Sequence, residues 1–266
     1  MPRSNRYQIP GQVWHITQRC HRREFLLKFA RDRKRWLHWL FEAKQRFDLT
    51  VLNYVVTSNH IHLLVEDDET DAISKSLQLI AGRTAQEFNQ RKGRKGAYWE
   101  DRYHATAIES GEHLLRCLVY IDMNMVRAGA VPHPSQWSHG GYNEIQTPPE
   151  RYRLIDRNRL IELSGMRDEA ELQRVHKEWV DDAVLKGMPR SQEWTEAVAR
   201  GSQAFVESIK DRLGYSARGR RVTRTAEAHV LREPESAYSV DLGGEMEGLR
   251  HENTVHFDES AGESTC

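Results

Sequence analysis

The chain has 266 residues, 38% of them hydrophobic and 29% charged, and a formal net charge of +0; this suits one domain of usual size plus an appendage, in a globular chain on the polar side. No run of about 18 apolar residues exists, so no membrane-spanning helix is expected, and MPRSNRYQIPGQ at the N-terminus lacks the apolar core of a secretion signal. Cys20, Cys117 and Cys266 are too few and too scattered for a disulfide framework, which points to a reducing cytoplasm. The zero charge hides an asymmetry: residues 1–50 hold 12 Lys and Arg against 4 Asp and Glu, and residues 225–266 hold 2 against 10. A basic head suits a polyanion, and an acidic tail would compete with it.

GQVWHITQRC (11–20) reads as a strand with a basic exit, and ARDRKRWLHWLFEAKQRF as a helix with Trp36, Leu40, Ala43 and Phe47 at helical spacing. LTVLNYVVTS is a second strand, rich in β-branched residues, and Ser58–Asn59 turns it into a third, HIHLLVE. A second helix is predicted from about Asp71 to Gln90, with Ile73, Leu77, Ile80, Thr84 and Phe88 inward. RKGRKG is a basic loop, and AYWEDRYHATAIE a fourth strand. Ser110 caps a third helix that Gly129 stops. This order is the ferredoxin-like split βαβ arrangement, an α+β fold with an antiparallel sheet and helices on one face, plus one added helix.

After TPPERYR the pattern turns helical: Leu172, Val175 and Trp179 give one stripe, and Phe205, Val206, Ile209 and Leu213 another, capped by Ser202 and stopped by Gly214. The expected division is a domain over 1–146, a helical extension over 147–215, and a flexible tail over 216–266 that is first basic (SARGRRVTR) and then acidic.

On a strand, residues two apart share a face, so His60 and His62 project together while Ile61 points to core. Two imidazoles at that spacing can reach one divalent cation, although His-x-His also arises by chance. The third helix adds a polar stripe of His113, Arg116, Tyr120, Asn124 and Arg127 between apolar faces, which fits a cleft or an open sheet surface.

Taken together, NHIHLLVE (59–66 region), YWEDRYHA, YIDMNMVRAG (120–129) and PSQWSHGGY (134–142) resemble the single-tyrosine HUH transposases, and among them the REP-associated tyrosine transposases, over about residues 7–145. Met125 stands where that family usually has proline after the helix asparagine, and Ser58 where it has proline before the strand asparagine; neither removes a chemical group. The resemblance implies that Tyr120 is the nucleophile and that His60, His62 and Asn124 hold Mg²⁺ or Mn²⁺. It also implies a substrate of single-stranded or hairpin DNA from extragenic palindromic repeats, and a monomer or homodimer.

Such chemistry is coherent. A phenol of pKa about 10 is a weak nucleophile at neutral pH, and a bound cation polarises phosphate oxygens. Imidazole is an unusual partner for Mg²⁺, so activity with Mn²⁺ is expected to be at least equal. Arg19, Arg22, Arg23, Lys92, Arg94, Lys95, Arg102, Arg116 and Arg127 are candidate DNA contacts, and Trp99, with Tyr98 and Tyr103, a candidate base-stacking group. The alternatives are a domesticated hairpin-binding protein that does not cleave, a zinc site, for which helical His pairs and Cys pairs are lacking, and a two-tyrosine relaxase, for which the stripe has only Tyr120.

Overall fold

The structure, a computed structural model, describes residues 9–67, 71–189, 191 and 193–232. Strand β1 (Val13–Arg19), helix α1 (Ala30–Phe47), strands β2 (Thr50–Val56) and β3 (His60–Glu66), helix α2 (Ala72–Lys92) and strand β4 (His104–Ile108) follow in the expected order. The strands lie side by side as β2-β3-β1-β4, each antiparallel to its neighbour, which is the split βαβ arrangement.

β4 is shorter than the sequence suggested. Trp99 makes only an isolated bridge to Cys20, and Asp101 turns its carboxylate onto the amide of Arg102, so 97–103 never joins the ladder. Arg102 therefore precedes β4 rather than lying on it.

Every residue of β3 after His60 is buried, as is most of β1. Burial at successive strand positions requires cover on both faces. Helices α1 and α2 pack on each other. The other face is covered by α3 (Glu112–Asp122), the short α4 (Asn124–Arg127) and α5 (Tyr142–Gln146), then α6 (Arg157–Ser164) and α7 (Glu169–Lys186); α3 packs on β2, β4, α6 and α7. The helices added to the split βαβ unit thus supply the cover on the second face. Leu114, Leu118 and Ile121 are fully buried, and a helix apolar on so much of its surface needs partners on more than one side. Gly111, at φ 71, rather than Ser110, is the cap of α3, and Gly129, at φ 66, ends the helical run after Arg127, as expected.

The extension is not all helical. After α8 (Glu193–Glu196), β5 (Ala199–Gly201) runs parallel to β4. Helix α9 (Gln203–Leu213) follows, capped by Ser202 and ended by Gly214 as expected. Strands β6 (Arg221–Arg224) and β7 (His229–Arg232) then complete a seven-stranded sheet among the described residues, in the order β2-β3-β1-β4-β5-β7-β6. Part of the basic stretch read as flexible is therefore an edge strand. Three- and four-residue strands are too short to display a period, and β5 buries an arginine, Arg200. Of the acidic stretch 225–266, residues 225–232 are described and carry β7, which corrects the expectation of a flexible tail there, and the rest lies outside the described residues. No described helix is long and apolar enough to cross a membrane.

One buried polar chain fixes α3 on the sheet. A bulge between Val51 and Asn53 breaks the β2–β3 register. Asn53, fully buried, donates to Asp122 Oδ1 at 3.1 Å. Asp122 Oδ2 lies 2.7 Å from His176 Nε2 on α7, and the Gln146 amide lies 3.0 Å from His176 Nδ1. The loop that covers β2 fits round this chain: a Cβ on Gly141 would lie 2.1 Å from Asn53 Oδ1. Asp122→Ala removes the shared acceptor of the Asn53 amide and of His176 Nε2, and is expected to lower stability by about 3–5 kcal/mol, read as a lower midpoint in urea unfolding followed by circular dichroism.

Candidate active site

β3 delivers His60 and His62 to the face covered by α3, opposite Arg19 and Thr17 of β1. Their rings lie 5.1 Å apart. His60 Nδ1 is 2.7 Å from Asn59 Oδ1 and 3.0 Å from Thr57 Oγ1, so the turn before β3 orients the ring. An amide oxygen only accepts, which puts the His60 proton on Nδ1. Nε2 then faces Asn124 Oδ1 at 3.4 Å. Met123 separates α3 from α4, yet Tyr120 and Asn124 stay one turn apart.

His62 is buried, and its Nδ1 lies 2.8 Å from Nε2 of His15, which is fully buried on β1. The two rings stack at 5.0 Å with 12° between planes. Burial is the main cause that holds both histidines neutral: His62 titrates well below 6.5, with His15, His60, Arg127 and Arg19 adding to the shift, and His15 falls to about 3.

Two imidazole nitrogens and an amide oxygen therefore converge, and this donor set fits a divalent cation that completes its shell with water and substrate oxygens. The buried Nδ2 of Asn124 has no hydrogen-bond partner among the described residues. Among the described residues no group of three His, Cys, Asp or Glu could hold a metal ion.

Tyr120 packs against this cluster. Its ring is edge-on to His15 at 6.0 Å and to His62 at 5.9 Å, and the Arg127 guanidinium sits 4.2 Å from its centre. Trp194 of α8 stacks on it at 5.3 Å, and the phenol donates to the Ser191 carbonyl at 3.4 Å. Tyr120 is 2% exposed. Trp194 is in turn held by Arg200, 4.0 Å from its ring centre, and Arg200 pairs with Glu193 and Glu227.

A cleft of about 680 Å³ opens beside the cluster, lined by His60, His62, Tyr120 and Asn124 and by four arginines, Arg19, Arg23, Arg102 and Arg127. The other expected contacts lie elsewhere. Arg22 is exposed on the β1–α1 loop, in a left-handed conformation at φ 50. Lys92 and Lys95 are exposed near the end of α2, and Arg94 is bonded to Ala97, Asn89 and Glu24. Arg116 pairs with Glu112 and Glu227 over Trp179, outside the cleft. Trp99 is half-buried, its indole donating to the Ala81 carbonyl, and Tyr98 is buried. His15 and Trp194 were not singled out from the sequence. His15 had one available signal, its alternation with Thr17 on a strand, but the partner strand's register is not written in the sequence.

Residues 10–124 match the family of IS200-like transposases, as the motifs had indicated. A solved structure of a REP-associated tyrosine transposase bound to a REP hairpin aligns with a TM-score of 0.44 at 21% identity, over 59% of this chain and 94% of that one. A Deinococcus radiodurans protein described as a transposase aligns with a TM-score of 0.32 at 15% identity, over 43% and 88%. No curated protein matches the chain.

The burial of His15 has a measurable consequence. Between pH 6.5 and about 3 the unfolded chain holds a proton at residue 15 and the folded chain does not. Stability therefore falls on acidification through this window, by up to about 1.4 kcal/mol per pH unit. Denaturant midpoints collected from pH 6.5 to 4 should show a slope shallower by about that amount in His15→Gln.

Proposed function

We propose that this chain, an IS200-like transposase over residues 10–124, is a metal-dependent single-strand DNA endonuclease and strand transferase that acts on hairpin-forming repeat DNA through Tyr120. The observation that carries the reading is the contact of one tyrosine ring with His62, beside His60 and Asn124, in a cleft lined by four arginines. Tyr120 Oη attacks the scissile phosphorus, the phenol proton passes to water, and the bond to the 3′ oxygen breaks. The products are a 5′-phosphotyrosine and a free 3′-hydroxyl. The ester keeps the energy of the phosphodiester, so the reverse attack rejoins a strand without ATP. Mg²⁺ or Mn²⁺, held by His60, His62 and Asn124, would polarise the phosphate and neutralise charge on its oxygens. With two nitrogen donors, Mn²⁺ should support activity at least equal to that with Mg²⁺.

The chain's own groups do the rest. Arg19, Arg23, Arg102 and Arg127 come from different segments and line the cleft together with the carboxylates of Glu100, Asp101 and Glu196; phosphates would contact the guanidinium groups without regard to sequence. Unpaired bases need aromatic faces, and Phe25 and Phe29 are 65% and 57% exposed on the loop that carries Arg22 and Arg23. That loop is tied to the turn before β3, through Leu27 N to the Ser58 carbonyl and Asn59 Nδ2 to the Arg23 carbonyl. A phosphate reaches Tyr120 Oη in line only after the Ser191 bond opens and Trp194 shifts. The cover over Tyr120 favours a second reading, a hairpin-binding protein that does not cleave.

Covalent capture separates the two. The full chain with Mn²⁺ and labelled hairpin oligonucleotides from the flanks of its own gene should give an adduct on denaturing gels. Tyr120→Phe and His62→Ala should abolish it, and Trp194→Ala should speed it. An adduct that survives Tyr120→Phe means another nucleophile, and tight binding without an adduct in any divalent metal selects the second reading.

Phe25→Ala and Phe29→Ala should each weaken binding of a hairpin with a single-stranded flank by about 1–3 kcal/mol, while affinity for the blunt hairpin stays unchanged in fluorescence anisotropy.

A further inference from the structure

We propose that His15 is a positioning residue that fixes the proton of His62 on Nδ1 and so leaves His62 Nε2 as a metal-ligating nitrogen. The inference deepens, and rests on, the metal reading of His60, His62 and Asn124.

The geometry is specific. Thr17, not His15, stands directly opposite His62 in the β1–β3 ladder, and His15 is its diagonal neighbour. The imidazoles nevertheless stack at 12° and bring His15 Nε2 within 2.8 Å of His62 Nδ1. Two ring nitrogens at that distance share one proton. If the proton sits on His15, a neutral His62 carries its own proton on Nε2 and has no lone pair to offer there. If it sits on His62 Nδ1, Nε2 is a donor to metal.

The metal reading of His62 requires the second arrangement. A neutral His15 that accepts at Nε2 must carry its proton on Nδ1. That nitrogen is buried and makes no hydrogen bond among the described residues. His60 reaches the same state through its turn, with Nδ1 donating to Asn59 and Nε2 toward Asn124. Metal-bound histidines usually donate their second N–H to a carboxylate, a carbonyl or water. At His62 a buried imidazole takes that place.

The test begins without metal or DNA. In the full chain labelled with ¹⁵N-histidine, two-bond ¹H–¹⁵N correlation spectra should show His62 protonated on Nδ1. In His15→Leu the population should move toward Nε2–H, and Mn²⁺ affinity measured by electron paramagnetic resonance should fall about 10–100-fold. His15→Gln sets an accepting oxygen near the original Nε2 position and should restore most of that affinity. His15→Asn is too short to reach and should behave like His15→Leu, which keeps the comparison available if leucine unfolds the protein. Nε2–H on His62 in the unaltered chain, or equal Mn²⁺ affinity in the chain and in folded His15→Leu or His15→Asn, overturns the proposal. If the unaltered chain binds no Mn²⁺, the metal reading fails, while the spectra still decide whether His15 sets the His62 proton.

Discussion

The position of Tyr120 depends on a polar chain that performs no chemistry. Asn53, Asp122, His176 and Gln146 bind one another across β2, α3, α7 and α5 inside the protein. An unpaired polar group there is costly, so the chain favours one seating of α3 over others that apolar packing alone would tolerate. Leu114, Leu118 and Ile121 supply the burial, but hydrophobic contact is non-directional and would permit the helix to slide or roll. Asp122 removes that freedom two residues from Tyr120. The bulge in β2 points Asn53 at it, and Gly141 leaves room for the amide.

With the helix seated, the site is a set of rings whose protons are arranged by neighbours. His60 is oriented by the turn that precedes it and His62 by another imidazole. Burial keeps His62 and His15 neutral, which is the state a cation requires of its ligands. The same burial disfavours any added positive charge, and Arg127 and Arg19 already stand near. If a cation binds here as proposed, it would be stabilised chiefly once an anionic phosphate accompanies it, so substrate and metal would reinforce each other's binding.

Much of this was legible in the sequence, for identifiable reasons. The two-residue period of a strand placed His60 and His62 on one face, and the 3.6-residue period of a helix placed Tyr120 and Asn124 on another. Local rules also gave the element order of the first domain and the ends of α9. What failed was non-local. His15 matters because of strand register, and Trp194 because β5 docks beside β4, more than 80 residues away in the chain. Trp99 and Phe25 show the limit for aromatic groups: the sequence supplies the ring, and the fold decides which rings face water.

The cover over Tyr120 has a physical character that suits displacement. The face of the tyrosine is closed by an aromatic stack and one long hydrogen bond, contacts that are individually modest. Trp194 is held from behind by Arg200, a buried charge that depends on Glu193 and on Glu227, itself 57% exposed in its side chain. Arg200 itself is 2% exposed, so a phosphate backbone would act on this pair through the exposed Glu227 rather than on the guanidinium directly. Arg116 draws on the same Glu227. DNA in the cleft would therefore act on the cover through the ion pairs that hold it as well as by direct collision, and the loosening would increase with the number of phosphates engaged. On the proposed reading, the arrangement would make access to Tyr120 conditional on a polyanion.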